Sequence, residues 1–464
     1  MYRKDNGQLH IFDITQSDVF TLNPENRWMK RAKLVPWEMA EEKYSHMFHK
    51  NGRPAKHIRM ALGALLIKEY LQCSDEEVVA QISENPYLQG FIGLKSFTNE
   101  PPFDPSLMVW FRKRLSSKFM AEINEAMCKA EAQPEIEIPT DDDDDEPHGG
   151  TLIVDATCAP ADIKYPTDTG LVAEGVEKSD ELIDALQEPL IGKTPRPRTY
   201  REKSRKLYTG FVRIRKPSKK LIRRTRGKLL NYFKRNLAAI EKMLKDGGIL
   251  NTKQAELYQI LLMLYAQQRE MHDKKTKSVE NRIVSISQPH IRPIVRGKAA
   301  SAVEFGSKVN TSVVNGYIFI DEISYDAYYE GNLLETAIEN YRDRFGMLPS
   351  KILADQAYTS RENRRMCKDF GISLMGKPLG RPRKGTKPEI NREDIGSRNE
   401  IEGKFGTLKT YYGWNRVKAR LPESGKTVIS VAVFAMNLAK RAKSLLCLFQ
   451  NWYYFRKFPI PITS

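Results

Sequence analysis

Two short apolar runs each stop at an aspartate, Leu152-Ile153-Val154-Asp155 and Ile352-Leu353-Ala354-Asp355. Runs of that length and type predict buried strands, and strand ends in α/β sheets are where ligand sites form. A third acid, Glu402, lies in the segment Arg398-Asn399-Glu400-Ile401-Glu402-Gly403-Lys404-Phe405. Wound as a helix, this segment brings Arg398, Glu402 and Lys409 within about 40° of one another, while Ile401, Phe405, Leu408 and Tyr412 form a stripe about 90° away. Three carboxylates from two strands and a helix can hold two divalent ions roughly 3.5–4 Å apart. Such a pair prepares a water or a 3′-hydroxyl as nucleophile and stabilises the leaving oxygen of an in-line displacement at phosphorus. Hard oxygen donors suit Mg2+, with Mn2+ as an alternative. Arg398 and Lys409 would offset phosphate charge beside the ions, and Lys404 adds a further cation on the same helix.

Each acid alone has an ordinary reading: an aspartate after a strand is a common turn residue, and a glutamate on an exposed helix face is usually solvated. Asp321 and Asp326 are rivals to Asp155, but their strand is half of an expected hairpin. Glu400 rivals Glu402 but sits about 160° around the helix from it. Asp155, Asp355 and Glu402 are therefore preferred.

The elements that must position these residues follow from periodicity and turn chemistry. Residues 1–130 read as helical. Arg53 to Leu71 has a helical apolar period, Ser74 with Glu77 forms a capping box, and Asp104-Pro105 predicts a helix start with Leu107, Val109, Trp110 and Leu115 on its apolar side. These short helices fit either a DNA reader or a plain bundle. Residues 131–150 form an acidic linker, in which Asp141 to Asp145 is a solvated run rather than a cation site. A core covers 151–165 and 298–446. Within it, Asn315-Gly316 between Val303–Val314 and Tyr317–Ile323 predicts a hairpin, and helices and short strands alternate up to Leu446. Residues 166–297 form a helical insertion with a helical hairpin about Asp246-Gly247-Gly248, and 447–464 form a tail. The fold class is thus α/β: a mixed-sheet core, interrupted by a helical basic insertion and preceded by an all-α region.

Charge is concentrated in the insertion. The 464 residues carry 75 Lys+Arg and 58 Asp+Glu, a formal +17. Lys193 to Arg235 hold 18 of the basic residues and one acid, Glu202, so the rest of the chain is balanced. Such a segment binds phosphate-rich partners by releasing counterions, and Arg223, Arg224, Arg226 and Lys228 are candidate DNA contacts. A solvated basic helix is the plainer reading. Tyr200, Tyr208, Phe211, Tyr232 and Phe233 lie among these cations and serve either packing or base stacking. Cys73, Cys128, Cys158, Cys367 and Cys447 lack metal-ligand spacing and read as reduced thiols. The start has no apolar leader, and Val428 to Leu438 falls short of the ~18 apolar residues of a membrane span. No membrane association and a cytoplasmic location, at the nucleoid when bound to DNA, are expected.

The chain resembles insertion-sequence DDE transposases, in particular the insertion sequence five group and the wider set with a Y-R-E-K signature. Arg398, Glu402 and Lys409 match the last three positions at that spacing, while Ile395 stands where the signature has Tyr. Val154-Asp155-Ala156-Thr157 and Ala354-Asp355-Gln356-Ala357-Tyr358 look like the two aspartate motifs, and Ile401 to Lys409 like the glutamate helix. The resemblance implies an RNase H-like catalytic core, cleavage at the ends of a mobile element and joining of 3′ ends to target DNA. It also implies terminal inverted repeats as the recognised DNA and at least a homodimer. An inactive or domesticated DNA-binding copy, or an RNase H-like nuclease without strand transfer, are the alternatives. Leu379-Gly380-Arg381-Pro382-Arg383-Lys384-Gly385 adds a Gly-Arg-Pro core among cations. It resembles a minor-groove AT-hook, or serves as a basic loop touching phosphates.

Overall fold

A computed structural model describes residues 22–49, 54–137, 146–190, 195–295, 303–376 and 392–457. The chain divides into two units, one made of Met1–Pro160, Lys308–Ser324 and Tyr328–Ser464, the other of Ala161–Ser307 with Tyr325–Ala327.

In the first unit the chain opens with helices α1 (Arg27–Leu34), α2 (Trp37–Ser45), α3 (Ile58–Leu71), α4 (Asp75–Glu84), α5 (Pro86–Phe91), α6 (Leu107–Arg114) and α7 (Ser117–Ala132). Ser74 caps α4 as expected, its hydroxyl accepting from the Glu77 N–H at 3.1 Å. Helix α6 departs from expectation. Asp104 accepts from Ser106 N–H at 2.9 Å and closes a turn, so the helix starts only at Leu107. Met108, Phe111 and Leu115 are its buried residues, and Val109 and Trp110 are exposed. The spacing of three and four residues, rather than the adjacent large side chains, marks the buried stripe.

After the short antiparallel pair β1 (Ile136–Glu137) and β2 (His148–Gly149) comes β3 (Thr151–Pro160). The strand does not stop at Asp155. Ala156, Thr157, Cys158 and Ala159 are all buried, so both faces of the strand stay covered beyond it. Helices α8 (Asp168–Gln187), α9 (Arg201–Val212), α10 (Lys219–Lys245) and α11 (Thr252–Asp273) then make the second unit, with β4 (Arg292–Val295). The remaining elements are β5 (Val303–Val314), β6 (Tyr317–Ser324), α12 (Leu334–Phe345), β7 (Lys351–Ala354), α13 (Arg361–Asp369), β8 (Ser373–Met375), α14 (Arg392–Tyr411) and α15 (Pro422–Lys457).

The sheet order is β5-β3-β7-β8, with β6 on the outer edge of β5 and β4 pairing with the first residues of β5. Strands β5 and β6 are antiparallel, joined where expected by Asn315 (φ 48°) and Gly316 (φ 76°), both in the left-handed region that such a turn demands. Strands β3, β7 and β8 are parallel. This is a mixed α/β fold, consistent with an RNase H-like core, preceded by helices and interrupted by a helical insertion.

Each face of the sheet has its own core, as the period-2 geometry of strands requires. Leu152 and Val154 of β3 and Ile352 and Ala354 of β7 join the N-terminal helices and α12. Ile153 and Leu353 face the other way, against Ile401, Phe405 and Leu408 of α14 and the buried Trp414. Helix α15 serves both cores, with Phe434 and Leu438 in one and Ile429 and Val433 in the other. An apolar surface all round suits a helix buried on all sides. Among the described residues no helix is long and apolar enough to cross a membrane.

In the second unit, α8, α10 and α11 share a core built from Leu171, Val176 and Ile183 of α8, Leu230, Phe233 and Ile240 of α10, and Leu261 and Leu264 of α11. Phe233 is thus a packing residue.

Candidate active site

The register of β3 and β7 pairs Leu152 with Ile352, Ile153 with Leu353 and Val154 with Ala354. Asp155 and Asp355 follow directly on the last of these pairs, and the charge of Asp355 is felt at Asp155. By the same alternation both aspartates belong to the face of Ile153 and Leu353, which α14 covers. Helix α14 packs with Ile401, Phe405 and Leu408, the stripe expected from its periodicity, and this leaves Arg398 and Glu402 on its flank. The Arg398 guanidinium donates to Asp355 Oδ1 at 3.1 Å and lies 3.7 Å from Glu402 Oε1. Asp355 also caps the short turn Gln356–Tyr358, accepting from Gln356 N–H at 2.7 Å. Asp155 accepts from the N–H of Ala156 at 2.8 Å, and its carbonyl accepts from the Thr311 hydroxyl at 3.3 Å.

Burial pushes the Asp155 carboxyl up to about 6, against the bond from Ala156; the negative charges of Glu330 and Asp355 raise it further, and Arg398 lowers it. Glu330 was not legible as a site residue. It follows Tyr328-Tyr329 in a loop without strand or helix periodicity, and the only available signal is that this loop leaves the hairpin next to β3. Lys308 of β5 holds it, with Nζ 3.0 Å from Glu330 Oε1 and donating to the Tyr328 carbonyl at 2.8 Å.

Other expected residues are placed elsewhere. The Lys404 amine donates to Gly316 O at 2.5 Å and lies 3.6 Å from Glu400, so it props the β5–β6 turn rather than the aspartates. Lys409 is half-buried on α14, about 10 Å along the helix from Glu402. Arg381, Arg383 and Lys384 lie outside the described residues. In the insertion Arg223, Arg224 and Lys228 are exposed. Arg226 is instead half-buried against Asp168, 2.9 Å away, in a cluster that Arg282 completes at 2.7 Å. Its spacing of two from Arg224 turns it to the other side of α10. Tyr200 stacks on Tyr232 with ring centres 5.5 Å apart, and Arg235 and Arg198 lie 4.8 and 5.4 Å from the Tyr200 ring. The four cysteines with described side chains, Cys73, Cys128, Cys158 and Cys367, form no disulfide.

The donor chemistry at Asp155 and Asp355 fits a hard divalent cation: the two carboxylates stand on adjacent strands, and their mutual repulsion is what such an ion relieves. Among the described residues no three acids, histidines or cysteines close on one point that could hold a metal ion. Arg398 bridges Asp355 and Glu402 instead. The aspartate pair therefore fits the group, and Glu402 stands one guanidinium away from it.

Residues 352–439 match the family described as transposase DDE domain, and residues 18–114 match a transposase domain family (DUF772). The first span contains Asp355, Arg398, Glu402 and Lys409; Asp155 lies outside both. Over 156 residues the chain is 31% identical to a Rhizobium meliloti protein described as uncharacterized protein ORF8 in nfe locus, a match spanning 34% of this chain and 72% of that protein. No solved structure matches the chain.

Proposed function

Because the chain belongs to the insertion-sequence DDE transposases, we propose that it cuts the ends of its own mobile element and joins the 3′ ends to target DNA. Asp155, Asp355 and Glu402 are the residues that would hold Mg2+ or Mn2+. The observation that carries this reading is the β3–β7 register, which sets Asp155 beside Asp355 under the helix that bears Glu402. When bound, the ions supply charge neutralisation at the attacking and leaving oxygens of a phosphodiester. The chain's own groups do the rest. Arg398, now shared by Asp355 and Glu402, is within reach of a phosphate oxygen and binds it in place of a carboxylate. Asp155, lifted by burial, would be held in its ionised form by a cation bound beside it.

Exposed Arg223, Arg224 and Lys228 on α10 give the insertion a sequence-independent grip on the DNA backbone. Terminal inverted repeats are the specific partner, and pairing of two ends implies at least a homodimer.

The test is cleavage of a linear DNA carrying the element's ends, with Mg2+ or Mn2+, by the parent protein and by Asp155→Asn, Asp355→Asn and Glu402→Gln. End cleavage in the parent and a strong loss of it in the three variants, with DNA binding retained, is expected. Normal cutting by any variant removes that residue from the site. A parent that binds the ends without cutting them would be a DNA-binding protein only. Cutting without joined products, when target DNA is supplied, would make the chain a nuclease.

A further inference from the structure

Tyr329 stands in the loop between β6 and α12, next to Glu330, and is 58% exposed. Exposed tyrosines on loops are ordinarily free to turn, but this one is held at two points, and the loop that carries it at a third. Its hydroxyl donates to the carbonyl of Ala357 at 2.9 Å, two residues after Asp355. The ring edge lies against Gly331, where a Cβ would fall 2.6 Å from Tyr329 Cε1 and 2.5 Å from the Ala357 carbonyl oxygen, so only glycine allows the approach. The Asn363 side chain donates to Gly331 O and to Tyr358 O, both at 2.8 Å, and so ties the Tyr329 loop to the segment that follows Asp355. The ring is therefore held at a set position relative to the aspartate, on the same loop as the acid whose charge Asp155 feels.

With the hydroxyl occupied by the protein, what Tyr329 has left to offer is a ring face. A base presents the matching surface, since stacking accepts any base and needs no hydrogen bond. The surroundings favour such a contact: Lys308, the cation beside this loop, is already engaged by Glu330 at 3.0 Å, so a DNA end beside the loop gains from an uncharged hold. We propose that Tyr329 is a positioning residue for the DNA end, its exposed ring stacking on an unpaired base beside the carboxylates. This rests on the transposase reading above.

The test uses the full chain carrying Asp155→Asn, which is expected to bind ends without cutting them. Element ends carry 2-aminopurine at each of the terminal positions in turn, in fully paired DNA and in DNA with a short unpaired end. Binding should quench the probe at one position. Adding Tyr329→Ala should abolish that quench and weaken binding of the unpaired end about tenfold, with the affinity for fully paired DNA unchanged. Tyr329→Phe and Tyr329→Trp, which keep a ring, should retain the quench. The same quench with Tyr329→Ala as without it overturns the proposal. So does complete loss of the quench with Tyr329→Phe: a phenyl ring seated against Gly331 stacks as well as a phenol, so such a loss would assign the effect to the hydroxyl's bond to Ala357 and not to the ring. Because the quench is read without catalysis, absence of Mg2+-dependent cleavage by the parent protein sinks the transposase reading separately.

Discussion

Asp155 and Asp321 stand on β3 and β6, the two strands that flank β5, and burial lifts both carboxyls, to about 6 and about 7. Their company differs. Asp321 is enclosed: the Ser312 hydroxyl donates to its Oδ1 at 3.1 Å, Asn340 donates at 3.4 Å, and the positive charge of Arg344 opposes the rise. Its Oδ2 finds no hydrogen-bond partner among the described residues, and the charge of Glu125 adds least to the rise. Asp155 is crowded by the charges of Glu330 and Asp355 and has Arg398 at one side, at a place still partly open to solvent. A buried acid served by neutral donors and one cation is a structural feature. A buried acid pressed by other acids is costly unless a cation serves it, and this sets a site apart from mere burial.

The largest effect should fall on catalysis. Asp155→Asn or Asp355→Asn is expected to lower end cleavage by on the order of 10³-fold or more. Asp321→Asn should leave cleavage within about threefold, because its carboxyl does not face the aspartate pair. Strong loss of cleavage in a stably folded Asp321→Asn protein would erase the distinction. Along α14 the same contrast applies at lower amplitude. Glu402→Gln should cost about 10²-fold in cleavage rate. Glu400→Gln, which loses only its contact with Lys404, should be close to neutral. Rates measured under single-turnover conditions would decide it.

Stability offers the next contrast. Folded Asp321 stays protonated up to about 7, whereas an ordinary aspartate carboxyl titrates at 3.8. Between these values the folded chain binds more protons than the unfolded one, so stability falls as pH rises through that window and stays lower above it. Asp321→Asn removes this penalty. It should raise stability at pH 8 by on the order of 2 kcal/mol after allowing for weakened hydrogen bonds, with the gain fading towards pH 4. Urea unfolding across that range checks it, and a gap independent of pH would show that the carboxyl is not lifted. Smallest are the changes on the insertion. Replacing Arg223 and Arg224 together by Ala should reduce the log–log salt slope of DNA binding by about 2 with little loss of stability. Arg226→Ala should leave the slope nearly unchanged and cost about 1 kcal/mol of stability, because it removes one of the two cations that hold the half-buried Asp168. Equal slopes for both variants would place the DNA elsewhere.

Much of this was legible in the chain because the signals are local. Ser74 and Asn315-Gly316 each mark a boundary by a backbone or capping requirement that nearby residues impose, and each does so in the structure. The stripe Ile401, Phe405 and Leu408 predicted which side of α14 is buried, and with it the flank that carries Arg398 and Glu402. Where several large apolar residues compete, the local signal is ambiguous. Trp110 and Val109 looked like core residues and are exposed, since Met108, Phe111 and Leu115 fit the helical stripe better. Asp155 was read as a strand terminus, yet β3 runs on to Pro160, because burial rather than the first charged residue ends a strand.

The residue types themselves determined the kinds of element, the order of two aspartates and a glutamate, and the gathering of cations in one segment. Only the tertiary structure decided that β3 and β7 pair in the register that sets Asp155 beside Asp355, that Glu330 adds its charge, and that Arg226 turns to Asp168 while Arg223 and Arg224 face outward. Propensity and turn chemistry act between residues a few positions apart. Strand register and ion pairing join residues far apart in the chain, and they are chosen by which packing of whole elements buries the most apolar surface without stranding a charge.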